Sequence, residues 1–131
     1  MFKGNFTTGS EVTANTNIPI TQIWNTNNKI SLSTDNTIQL KANGLYIANA
    51  NLVVTNVAVG NVTAQIYADG VAVNGAIASA TSGATTDLIT LPLQDALRVV
   101  LDNTNSFANI SVQCNVAVTP TSGNILVWYE R

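Results

Sequence analysis

The side chains able to do chemistry are few. The chain has no histidine, which removes the commonest general base and the commonest transition-metal ligand. Cys114 is its one cysteine, so no disulfide closes within the chain and a zinc site lacks its thiolates. A lone cysteine is either a small buried apolar residue or a reactive thiol, and the first is its ordinary fate. No Ser-His-Asp or Cys-His arrangement can be assembled, and the phosphate loops GxGxxG and GxxxxGK are absent. Carboxylates remain. Asp35 lies early, and Asp69, Asp87, Asp95 and Asp102 are spread through the second half. They read as turn and edge residues, where aspartate belongs. The DxDxDG calcium loop is missing. The expectation is therefore a non-enzymatic chain with no catalytic, cofactor-binding or metal-binding residues.

Composition says what must hold such residues in place. The 131 residues suit one domain with a real core. Hydrophobic residues make up 46% and charged residues only 9%, against a usual charged share of about 25%. Asn and Thr fill the gap, at roughly a quarter of the chain. Threonine fits a pleated surface and asparagine seeds turns. Strands with hydroxyl-bearing outer faces, joined by Asn-rich loops, are the expected elements. Lys3, Lys29, Lys41, Arg98 and Arg131 are scattered, which is not the pattern of a nucleic-acid binder. A net charge of −2 gives little protection against self-association, so a defined oligomer is expected. No apolar run approaches the length of a membrane span. The opening residues lack the apolar core of a signal peptide, and the missing disulfides fit assembly in a reducing cytosol.

Residues 1–17 are polar and contain no evident anchor. They read as an N-terminal arm or weak first strand, with Phe2 and Phe6 as candidate attachment residues. The domain proper is expected at 18–131. Alternation of period two starts at Ile18 and Ile20 and recurs at Ile30/Leu32 and Ile38/Leu40. In the strand 45–54, Tyr46, Ala48, Ala50, Leu52 and Val54 share one face, while Asn49 and Asn51 look to water. Asp69-Gly70 predicts a hairpin, and Asn74-Gly75, Gln94-Asp95 and residues 119–124 predict further turns. Residues 78–87 read as a small-residue loop or edge strand. Ile125–Tyr129 closes the chain as an apolar strand buried on both faces. Turns every 8 to 12 residues or so give the sandwich or barrel pattern, with about eight to ten strands. Trp128 and Tyr129 are adjacent and must point to opposite faces.

Three segments together resemble the tumour necrosis factor and complement globular-head superfamily. Thr37–Leu40 leading to Gly44-Leu45-Tyr46-Ile47-Ala48 is similar to its strand–Gly-x-Tyr–strand passage. Gln65–Gly75 looks like the hairpin of the Bacillus collagen-like exosporium glycoprotein head. Leu91–Leu101 is similar to the family's late strands around a short acidic turn. The match runs over about 18–131. The Asn/Val/Thr-rich segment 103–124 departs from the pattern, as does the lack of a Gly-X-Y stalk. The resemblance implies an all-β, ten-strand antiparallel jelly roll assembled as a homotrimer, with Tyr46, Trp128 and Tyr129 as candidate interface residues. It also implies a structural protein of a bacteriophage virion (head fibre, capsid decoration or fibre tip), made in the host bacterial cytoplasm. The alternative is a bacterial cell- or spore-surface adhesion head for a receptor or glycan. Self and a larger virion assembly are the expected partners, with neither nucleic acid nor membrane among them.

Overall fold

The computed structural model describes residues 1–131 apart from 103 and 105. Its regular elements are strands: β1 (Phe2–Phe6), β2 (Ile20–Asn25), β3 (Ile30–Leu32), β4 (Ile38–Leu40), β5 (Gly44–Asn56), β6 (Gly60–Ala68), β7 (Val71–Ser82), β8 (Ile89–Val99), β9 (Ala108–Cys114) and β10 (Val118–Tyr129). They form two five-stranded sheets in the orders β2-β1-β10-β5-β8 and β3-β4-β9-β6-β7. Every strand pairing is antiparallel. This is the expected all-β jelly-roll sandwich of ten strands.

Period-two alternation aims one face of each sheet inward. In β5 the inward set is Tyr46, Ala48, Ala50, Leu52 and Val54, all buried, and Asn49 and Asn51 are exposed as expected. From the second sheet Ile38, Leu40, Val62, Ala64, Ile66, Ile110, Val112 and Cys114 meet this layer. The Asp69-Gly70 corner turns as the sequence predicts, with φ of 51° and 79°. Positive φ at both central residues gives the twist that a tight hairpin needs.

The arm does not exist as a free segment. Phe2 and Phe6 are 0% and 2% exposed, and β1 lies inside the first sheet between β2 and β10. Phe2, Gly4 and Phe6 alternate inward while Lys3 and Asn5 alternate outward, so five residues with two phenylalanines suffice to anchor the strand. Residues 7–18 then run from the first sheet across to β9 of the second, before the chain returns to the first sheet as β2. Backbone bonds from Gly9 N to Pro120 O, Asn15 N to Cys114 O and Ile18 N to Val112 O lace this crossover to β10 and β9. Phe2 and Phe6 are core residues, not attachment residues.

Three predicted breaks are continuous strand. Asn74-Gly75 lies within β7, where the β6–β7 register shifts and Gly75 takes φ 91°; it is a bulge. Gln94 and Asp95 pair with Asn49 and Ala48 in mid-β8. Residues 119–124 belong to β10, which bulges between Pro120 and Ser122. A Cβ at Gly123 would collide with the Asn51 carbonyl, so the glycine lets β10 continue where a side chain would force it off β5. The segment that departs from the family pattern nevertheless supplies β9, in the middle of the second sheet, and the start of β10. The predicted loop at 103–106 falls partly outside the described residues.

Phe6→Ala is expected to lower the unfolding free energy by about 3–5 kcal/mol, read from urea denaturation. Deleting residues 1–6 is expected to abolish the cooperative transition, whereas a free arm would leave both values unchanged.

Candidate functional site

The outer face of the first sheet follows from the strand register. On β5 it carries Leu45, Ile47, Asn49, Asn51 and Val53; on β10, Ser122, Asn124, Leu126 and Trp128; on β8, Thr90, Pro92, Gln94, Ala96 and Arg98. Lys3 and Asn5 continue it on β1, and Trp24 and Thr21 on β2. One cross-strand row reads Trp128–Ile47–Ala96. The next reads Trp24–Lys3–Leu126–Asn49–Gln94, and the one after it Thr21–Asn5–Asn124–Asn51–Pro92. Lys3 is the ionisable group of these rows, in the middle one between Trp24 and Leu126, and Arg98 stands one row beyond, opposite Leu45. Most of the face is a field of amides, hydroxyls and apolar side chains. Trp24 is 41% exposed and the adjoining Ile23 47%, while Leu126, Trp128 and Ile47 are half-buried.

This face does two things that a solvated sheet face does not. It presents aromatic and branched side chains in contiguous rows, which marks an interaction surface more than scattered exposed residues do. It also carries few of the charges that keep such faces apart, Lys3 and Arg98 being the ones its rows present. The edge strand β8 is protected differently. Pro92 removes a ladder donor, and Asp95 shares the inward face with Leu93 and Leu97. Both features discourage edge-to-edge pairing, so the face rather than the edge is open to partners.

The three candidate interface residues separate. Trp128 lies on the outer face opposite Ile47, and Tyr129 pairs with Tyr46 on the inward side, so the adjacent aromatics diverge as the sequence predicts. Trp128 Nε1 donates to Glu130 Oε2 at 3.1 Å. Tyr46 is wholly buried and touches no outside surface. Its hydroxyl donates to Ala42 O at 2.8 Å and accepts from Ala42 N–H at 3.2 Å. Tyr129 packs edge-on against it with ring centroids 5.1 Å apart, donates to Asn43 O, and carries Lys29 Nζ over its ring at 5.0 Å. The pair closes one end of the sandwich. Gly44, with φ 146°, lies under the Tyr129 ring, where a Cβ would collide with it. The Gly-x-Tyr spacing therefore serves packing at that end, and of the three candidates Trp128 is the one that faces outward.

The remaining reactive groups are structural. Burial pushes the Cys114 thiol up to about 12. Asp87 Oδ2 accepts from the Gly83 and Ala84 N–H groups, and Asp102 Oδ1 accepts from Thr104 N–H and Oγ1. Among the described residues, no three His, Cys, Asp or Glu side chains converge to hold a metal ion.

Two outcomes check this assignment. Cys114 is expected to resist a thiol reagent in the native state and to react on unfolding in urea. Tyr46→Phe is expected to lower stability by about 1–2 kcal/mol, because it strips partners from the Ala42 backbone. Burial holds the Tyr46 hydroxyl above its ordinary value, so the folded state keeps this proton more tightly than the unfolded chain. Its contribution is complete below about pH 10 and is lost as pH rises beyond it; the alkaline loss of stability should be smaller in Tyr46→Phe.

No protein-family model matches the chain, and no curated protein sequence matches it. Solved structures do. The globular domain of zebrafish complement 1qA protein superposes with a TM-score of 0.74 at 7% identity, over 99% of this chain and 96% of that one. Eiger TNF from S. frugiperda gives 0.71 at 9% identity, over 99% and 93%. PRD1 vertex protein P5 gives 0.64 at 16% identity, over 99% of this chain and 72% of that one. At these identities what is shared is the fold: the chain has the jelly roll of the tumour necrosis factor and complement heads, which a phage vertex protein also adopts.

Proposed function

We propose that the chain is a non-enzymatic structural head of a bacteriophage virion, assembled as a homotrimer in the host bacterial cytoplasm and mounted as a head fibre, capsid decoration or fibre tip. The observation that carries the reading is the broad outer face of the first sheet, apolar and amide-rich, with few ionisable groups along its rows. Three copies around a three-fold axis can close such a face. Burying about 1,000 Å² of apolar area per copy contributes on the order of 25 kcal/mol before association costs. The likeness to PRD1 vertex protein P5 supports a virion setting, and the likeness to complement and TNF heads supports self-association. Because β1 is built into the sheet, joining to a larger particle uses a surface of the folded head. Neither cofactor, nucleic acid nor membrane has a part in this reading.

A bacterial cell- or spore-surface adhesion head is the second reading. The complement likeness supports it as well, and it requires the isolated domain to bind a receptor or glycan.

Sedimentation equilibrium tests the assembly. The unmodified chain is expected to run as three copies. Leu126→Asp places a carboxylate in the middle of the closed face at a cost of roughly 3–5 kcal/mol per copy. It is expected to give folded monomers with an unchanged far-ultraviolet circular dichroism spectrum. A monomeric unmodified chain, or a Leu126→Asp variant still three copies in size, contradicts the proposed interface. Incorporation of the tagged chain into phage particles tests the virion setting separately.

A further inference from the structure

The second sheet turns a different surface outward, and it contains a polar cavity of about 350 Å³. Asn109, Ser111 and Gln113, alternate residues of β9, form its floor. Asp35 enters from the turn between β3 and β4, Asp69 from the β6–β7 hairpin, and Asn17 from the crossover. These residues are held in place. Asp35 Oδ1 accepts from Thr37 Oγ1 at 2.6 Å and from Thr37 N–H at 3.2 Å, which holds its carboxyl below the usual range. Asp69 Oδ1 accepts from Asn109 N–H at 2.8 Å. Gln113 Nε2 donates to Asn17 Oδ1 at 2.9 Å, and Asn17 Nδ2 donates to Asp35 O at 3.1 Å.

The same bonds leave specific groups uncommitted. Ser111 is only 5% exposed, yet no described residue bonds its hydroxyl, which faces the cavity. Among the described residues no fully buried side-chain oxygen lacks a partner, so this hydroxyl is open to the cavity, and the site carries an unused hydrogen-bonding group at its floor. Asp69 Oδ2, Gln113 Oε1 and Asn109 Nδ2 are likewise without a bond to a described residue. Acceptors and donors are thus interleaved around one concavity. Tyr67 stands beside Ser111 in the β6–β9 register on the same face of the sheet.

We propose that this cavity binds one neutral sugar residue of a glycan. A sugar hydroxyl donates and accepts at once, which suits a floor hydroxyl flanked by a carboxylate and two amides. The volume is that of a ring-sized ligand, near the low end of small-molecule sites, and is too roomy for a bare cation held at 2.3–2.6 Å. Two carboxylates repel phosphate and acidic sugars. The site lies on the sheet opposite the proposed trimer face, so it stays open in the assembly and does not depend on it.

The test is ligand-observed NMR of the full chain against glucose, galactose, mannose, N-acetylglucosamine and N-acetylgalactosamine, with N-acetylneuraminic acid and calcium chloride as separate arms. At least one neutral sugar is expected to bind, and neither control. Asp69→Asn keeps the left-handed corner and an acceptor for Asn109 N–H, and Ser111→Ala removes only the floor hydroxyl. Each is expected to weaken binding about tenfold or more with the melting temperature unchanged, since a good polar contact is worth a factor of that size. No binding by any neutral sugar, binding unaffected by both substitutions, or binding of calcium alone would overturn the proposal. The oligomeric state of the same samples shows separately whether the trimer reading holds.

Discussion

Strand β5 is paired along nearly its whole length on both sides, with β10 on one and β8 on the other, and the rest of the molecule depends on that double ladder. It fixes which residues of the first sheet face inward. It sets Tyr46 against Tyr129 at one end and brings the β10 backbone over Asn51 at Gly123. By the same register it gathers Leu126, Trp128, Ile47 and Ala96 on the outer face. A slip of one residue would exchange the two faces, placing Asn49 and Asn51 in the core. Core and interaction face are therefore one decision, made by pairing.

A charge-poor surface makes that decision consequential. A typical antiparallel sheet keeps its solvent face wet with charged side chains. Here asparagine, threonine and serine take their place, and these groups tolerate either water or a second protein surface. The first sheet uses this tolerance for a broad outer face. The second sheet uses it for a concave one, where amides, hydroxyls and two carboxylates surround Ser111. The two sheets thus offer different partners: a large surface for a sister copy and a small cavity for a polyhydroxylated ligand.

The fold was largely legible where residues signal strongly and locally. The Asp69-Gly70 hairpin and the β5 alternation were both plain, as was the divergence of Trp128 and Tyr129, since these depend on neighbours in sequence. What misled were residues whose meaning depends on distant partners. Phe2 and Phe6 looked unanchored because Lys3 and Asn5 alternate with them and nothing local shows that β10 lies alongside. Asn74-Gly75 and Gly123 carry turn chemistry, yet their glycines serve a bulge and a close strand approach. Tyr46 seemed free to reach a partner until the Ala42 backbone was seen to hold its hydroxyl. The polar cavity had no sequence signal: Asp35, Asp69 and Ser111 come from three separate stretches, and only the stacking of β4, β9 and β6 brings them together.

The chain's two tryptophans, Trp24 and Trp128, both stand on the outer face of the first sheet. Acrylamide quenching of their fluorescence therefore reports on that surface most directly. If copies of the chain close over it, quenching is weak at working concentration and rises as dilution separates them. Quenching that is already as strong as for the free amino acid, and is indifferent to dilution, would mean that the face stays in water.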